Sequence, residues 1–165
     1  MQHVQTRSTT SALVLTAVLI ALATLFTMYT KIPVPGIRGY FNVGDVVIMT
    51  SALLLGRKYG AYIGAIGPAL ADLFLGYAVF VPITFVVKGI EGYLVGTVYN
   101  NKTTTSALAA TILGGIIIVA GYFIAEYFVF DLGVAIASIL TNAIQAVMSV
   151  IISMILYAIL RRRLA

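Results

Sequence analysis

The chain has 165 residues, of which 61% are hydrophobic and only 9% charged, with a formal net charge of +5. A soluble domain of this length is about 25% charged and roughly 45–50% apolar, so this composition is that of an integral membrane protein. It has no cysteine, which excludes disulfides and thiolate metal sites, and its single histidine, His3, lies in the polar N-terminal stretch, away from any intramembrane chemistry.

The basic residues flank apolar runs, the usual membrane pattern, and imply no nucleic-acid partner. A spanning helix needs ~20 apolar residues. On that scale the spacing predicts an all-α bundle of six transmembrane helices in one domain over residues 1–165. The spans lie at about 11–29, 43–56, 59–78, 81–98, 107–130 and 132–160. The first ends at Lys31-Ile-Pro-Val-Pro-Gly36, where two prolines and a glycine force a loop. A cleaved signal peptide is the alternative for this segment, but its apolar run exceeds the usual h-region and no polar mature start follows. Within it, Ala17 and Ala21 stand four apart on one face, a spacing that lets a second helix approach closely. That second helix is either another helix of this bundle or a separate membrane subunit; Ala61 and Ala65 pose the same choice.

The loop Lys31–Asn42 is short, restricted by Pro33 and Pro35 and aromatic at Tyr40 and Phe41, which suits either a lid over an outward pocket or a plain connection. Asn42 and Asp45 then open the second helix, Asp45 as a capping group or as a ligand contact. That second span is short for an upright crossing and reads as a short or partly re-entrant helix. The third carries Pro68 and should kink there. With the N-terminus in the cytoplasm, six crossings place seven Lys and Arg residues inside (Arg7, Arg57, Lys58, Lys102, Arg161, Arg162 and Arg163) against Lys31 and Arg38 outside. Both termini are then cytoplasmic.

Three ionisable residues interrupt the third and fourth spans: Asp72, Lys88 and Glu91. A charge near mid-membrane costs roughly 2.5–3.5 kcal/mol on insertion scales, so such groups pair and mark function. Lys88 and Glu91 are three apart and share a face. At ~1.5 Å per residue from the turn at 75–82, Lys88 and Asp72 lie at similar depth, so the three can form one network. That network either braces two helices or touches a ligand. On the sixth helix Asn142 and Gln145 share a face, and amides can read a heterocycle's donors and acceptors or bind another helix. Glu126 and Asp131, with Tyr122 and Tyr127, flank the last outer turn.

There is no Walker motif, HExxH, GxSxG or dinucleotide fingerprint, and no metal cluster is implied. The residues that remain describe a polar pocket in a bundle with no engine of its own. A stand-alone ion- or proton-coupled secondary transporter using Asp72, Lys88 and Glu91 is the rival, and a purely structural membrane protein a third possibility.

The pattern of an Ala-x-x-x-Ala first helix, Gly39-Tyr-Phe-Asn-Val-Gly-Asp45 and the stretch Gly67–Gly96 resembles substrate-binding S components of energy-coupling factor (ECF) vitamin transporters. It is most similar to the riboflavin and hydroxymethylpyrimidine subgroup. The resemblance implies a multi-pass protein of the prokaryotic plasma membrane, not an enzyme and without a cofactor. By this resemblance it captures a vitamin or precursor under a closing first loop. It then docks through Ala17 and Ala21 onto a transmembrane T subunit, and two cytosolic ATPases drive release inside. The family's pocket regions correspond here to Tyr40, Glu91, Tyr122 and Asn142, with Gln145 as a second sixth-helix amide. There is no tryptophan, whereas thiamin-binding members stack their ligand on tryptophans. That speaks against intact thiamin.

Overall fold

The computed structural model describes residues 9–33, 40–99 and 103–164. Helix α1 (Thr9–Tyr29) is followed by two-residue strands β1 (Ile32–Pro33) and β2 (Tyr40–Phe41). Then come α2 (Asp45–Leu55), α3 (Arg57–Phe74), α4 (Phe80–Val98), α5 (Thr104–Val129) and α6 (Leu132–Leu164). The helices alternate in direction. The far end of α1, the starts of α2, α4 and α6, and the ends of α3 and α5 gather at one pole of the bundle. Helix α1 begins, and α6 finishes, at the opposite pole.

The bundle turns apolar side chains outward, as suits a bilayer solvent, and buries polar groups beside apolar core clusters. Leu13, Val14, Val18, Ile112, Ile116, Ile124, Ile136, Leu140 and Val147 are exposed, while Thr16, Thr27, Asp45, Lys88, Glu91 and Gln145 are buried. Helices α1, α4, α5 and α6 are long and apolar enough to cross a membrane. In α1 the hydroxyls of Thr16 and Thr24 donate to the carbonyls of Ala12 and Ile20 one turn back, so the helix buries no idle donor there. Beyond α1 the chain forms a small antiparallel ladder, Ile32 opposite Phe41 and Pro33 opposite Tyr40.

Helix α2 is short because it lies inside the bundle. Eight of its 11 residues are buried, and it packs against all five other helices. A helix that meets protein on most sides need not match the lipid thickness. Gly56, at φ 91°, turns the chain from α2 straight into α3 with no linker, in a region open to glycine. Helix α3 ends in a Schellman motif: Tyr77 N–H donates to Asp72 C=O at 2.8 Å and Gly76 N–H to Leu73 C=O at 3.3 Å, with Gly76 at φ 81°.

The tightest seam joins α3 to α4. A Cβ at Gly64 would fall 2.1 Å from the Lys88 carbonyl oxygen, and one at Gly92 2.1 Å from that of Gly60. Only hydrogen lets these backbones touch, and the close fit fixes how α4 is rotated. That rotation turns Lys88 and Glu91 inward. At the opposite pole Tyr99 and Tyr157 share a hydrogen bond of 2.5 Å between α4's end and α6. Burial, then this bond, push the Tyr99 phenol up to about 12, so Tyr99 is uncharged at neutral pH.

Candidate functional site

The polar cavity sits at the pole where α1, α3 and α5 finish and α2, α4 and α6 begin. Thr27 of α1, Asn42 before α2, and Pro68 and Asp72 of α3 form one side of it. Phe80, Thr84 and Lys88 of α4, Tyr122 and Glu126 of α5, and Ser138, Thr141, Asn142 and Gln145 of α6 complete the wall. The cavity between these side chains is only about 40 Å³. The walls are nearly in contact.

Lys88, 1% exposed, is the electrostatic centre. Its Nζ lies 2.5 Å from Asp45 Oδ1 and 3.4 Å from Glu91 Oε2, and 5.4 Å from the centre of the Tyr122 ring. A buried ammonium is tolerable only with such partners, and the ring face adds a weaker cation–π attraction. Tyr122 is itself held, its hydroxyl 2.9 Å from Thr84 Oγ1. Asp45 Oδ2 accepts from Gln145 Nε2 at 2.7 Å, and Gln145 Oε1 accepts from the backbone N–H of Asn42 at 3.0 Å. Asn42 Oδ1 accepts in turn from Gly44 N–H at 2.8 Å. One polar chain thus runs from α4 through α2 and α6 to the foot of the β1–β2 hairpin.

These contacts revise the role that the sequence suggested for Asp45. Gly44 occupies the capping position and no side chain caps α2; the Asp45 carboxylate turns inward to the lysine. Glu91, expected as a ligand contact and as a member of the charge network, pairs with Lys88. It lies a turn deeper than Lys88, completely buried, near Gly114 of α5 and outside the cavity wall. Asp72 is buried and shares the cavity wall with Lys88. Tyr122, Asn142 and Gln145 all reach the cavity. The Asn142 amide is half-buried and makes no hydrogen bond to the described residues, whereas both ends of the Gln145 amide are engaged. Pro35, Gly36, Arg38 and Gly39 of the first loop, and the side chains of Tyr40 and Phe41, lie outside the described residues.

Other placements complete the site. Glu126, 3% exposed, contacts the Ser138 hydroxyl and belongs to the wall. Asp131 instead caps α6, accepting from Val134 N–H at 2.9 Å, and Tyr127 is outward-facing. Sequence reasoning had not singled out Thr27, Thr84, Ser138 or Thr141. The available signal was a lone hydroxyl on an otherwise apolar helix, and it is weak. Ala17 and Ala21 are exposed on α1, whose inward face is Thr16, Ala23, Thr24 and Thr27. They are not used to pack this bundle.

A family model described as ECF-type riboflavin transporter, S component, matches residues 7–162. An uncharacterized protein from Pyrococcus woesei is 40% identical over 144 residues, covering 86% of this chain and 95% of that one. The thiamine precursor transporter HmpT of Lactococcus lactis subsp. cremoris is 29% identical over 148 residues, covering 89% of this chain and 83% of its own length. The crystal structure of the S-component for biotin from an ECF-type ABC transporter has the same fold, with a TM-score of 0.63 over 94% of each chain at 20% identity. With nearly the whole chain matched, this multi-pass membrane protein belongs to the S-component family of ECF-type riboflavin transporters, a vitamin-transport family and not an enzyme family.

Proposed function

We propose that this chain is the substrate-capture subunit of an ATP-driven importer and that its ligand is a small, donor-bearing heterocycle of the hydroxymethylpyrimidine class. The observation that carries this reading is the cavity: a narrow site at one pole, walled by buried hydrogen-bonding side chains and by the rings of Phe80 and Tyr122. Lys88 is already balanced by Asp45 and Glu91, so the site offers no spare cation to an anionic vitamin. Glu126 and Asp72 in the wall favour a ligand that donates, such as an aminopyrimidine. The Asn142 amide can pair with ring nitrogens, and Tyr122 offers its ring. Tyr40 and the hairpin close over the ligand.

Size points the same way. The reachable volume of about 40 Å³ must grow before any heterocycle enters, and a single ring demands far less movement of packed helices than a tricyclic flavin with its sugar chain. The relative named as a thiamine precursor transporter supports the same class. Riboflavin is the second reading, favoured by the description of the matching family.

The Lys and Arg bias puts the cavity pole outside and both termini in the cytoplasm. Docking to a T subunit uses the exposed small-residue face at Ala17 and Ala21 of α1, and two cytosolic ATPases supply the energy. The chain hydrolyses nothing itself, acting as one six-helix membrane domain with no cofactor. Titration calorimetry of the purified protein tests the substrate. Hydroxymethylpyrimidine is expected to bind at least ~100-fold (about 2.7 kcal/mol) more tightly than riboflavin. Tighter binding of riboflavin overturns the pyrimidine assignment and leaves the capture role standing.

A further inference from the structure

The sixth-helix amide Gln145 lies against the cavity, yet its hydrogen-bonding capacity is committed elsewhere. Its Nε2 donates to Asp45 Oδ2 at 2.7 Å and its Oε1 accepts from Asn42 N–H at 3.0 Å. Asn42 directly follows β2, the strand that holds the outer hairpin against β1. Asp45 is held on its other oxygen by Lys88, which faces the cavity. Asn42, Asp45, Lys88 and Gln145 are 8%, 0%, 1% and 2% exposed, so water cannot replace a bond that is lost, and in this low-dielectric setting each bond polarises the next. Val43 N–H gives the hairpin foot a second tie, to Thr30 Oγ1 at 3.0 Å, but that one leads back to α1 and not to the cavity.

We infer that Gln145 is a positioning residue that tethers the foot of β2, at Asn42, to the Lys88–Asp45 ion pair, so that the order of this foot follows the state of the cavity. The inference deepens the capture reading, on which its ligand-dependent half rests. A ligand that packs beside Lys88 and shifts its ammonium relative to Asp45 changes the charge that Asp45 presents to Nε2–H, and among the described residues that amide leads onward to the Asn42 backbone. Gln145 is in this account no ligand contact, in contrast to Asn142 one turn earlier.

The test reads the hairpin foot directly. Hydrogen exchange of the segment 42–47 is compared in the unaltered protein, in Gln145→Leu and in Gln145→Met, each in lipid nanodiscs without ligand. Both substitutions keep the bulk of the side chain and remove the bonds to Asn42 and Asp45. Exchange at Asn42 is expected to accelerate at least tenfold in both, with exchange at Val43 and in the α3–α4 seam unchanged. Equal exchange at Asn42 in the variants and the unaltered protein overturns the tether. A uniform acceleration through all six helices also overturns it, since Gln145 would then be a general packing residue.

A second measurement uses the unaltered protein alone, so it survives a variant that fails to fold. Adding hydroxymethylpyrimidine is expected to slow Asn42 exchange at least tenfold, and unchanged exchange at saturation overturns the coupling. The chain has no tryptophan, so Ile32→Trp, at an exposed position of β1, gives a sole fluorophore for kinetics. In that background Gln145→Leu is expected to raise the ligand dissociation rate about tenfold and to abolish the ligand-induced rise in anisotropy. Unchanged dissociation with a preserved anisotropy rise contradicts the inference, and complete loss of binding by a folded variant reassigns Gln145 as a contact. Should hydroxymethylpyrimidine and riboflavin both fail to bind the unaltered protein, the substrate reading falls, and the ligand-free exchange comparison still decides the tether.

Discussion

Lys88→Met is expected to destabilise the protein by about 3–5 kcal/mol and to abolish ligand binding. The substitution keeps the length of the side chain and removes its charge, leaving Asp45 and Glu91 completely buried with no cation between them. Removing one member of a buried ion pair strands the other, and that penalty exceeds the net worth of the intact pair. The stability loss should be largely reversed by adding Asp45→Asn and Glu91→Gln, because two neutral amides carry no buried charge and can hydrogen-bond each other where two carboxylates repel. Binding should stay lost, since Lys88 faces the cavity and organises Tyr122 and Gln145 around it. Thermal unfolding in detergent and calorimetric titration measure the two effects separately. A stable Lys88→Met protein with ordinary affinity would remove Lys88 from the centre of the site.

Ala17→Leu combined with Ala21→Leu is expected to abolish uptake in cells while changing the affinity of the purified protein by less than about twofold. Both alanines face outward from α1, so the added side chains displace nothing inside this bundle. They do lift any partner helix away from the α1 backbone, and small-residue contacts in membranes depend on close backbone approach. The cavity is touched from α1 only by Thr27, on the opposite, inward face and further along the helix. Uptake that persists in a strain holding the T subunit and ATPases contradicts the docking role, as does loss of affinity in the double variant.

Much of the architecture was legible because a bilayer writes length and polarity into the chain. Apolar runs separated by Pro-, Gly- and Lys-rich breaks give six helices, and the described residues form six. The boundaries moved where lipid was not the deciding solvent. The run from 43 became a helix starting at Asp45 and embedded on most sides. Thr104 and Thr105, polar enough to read as loop, are the first turn of α5, capped by Thr103 accepting from Ser106 N–H at 3.1 Å.

The site was legible in part, and for a definable reason. Lys88 and Glu91 announce themselves as charges three apart in an apolar helix, but helical spacing says nothing of which neighbour each will meet. Asp45 stands where a helix begins, a position whose local meaning is capping; its partner lies 43 residues on, and only the α3–α4 glycine seam and the burial of α2 bring them together. Gln145 met the same limit, since its partners are 100 and 103 residues away. Glu91 shares Lys88's face yet sits one turn deeper, a difference of depth that no periodicity reports.

The central claim is that this chain captures a ligand and relies on other subunits for energy. Its most direct test is uptake of radiolabelled hydroxymethylpyrimidine into proteoliposomes, measured for the purified chain alone under an imposed proton gradient and for the chain reconstituted with T subunit, ATPases and ATP. Accumulation is expected only in the complete assembly, with the chain alone binding its ligand stoichiometrically and accumulating none. Proton-driven accumulation by the chain alone, without ATP, would contradict the account and make Asp72, Lys88 and Glu91 an ion relay.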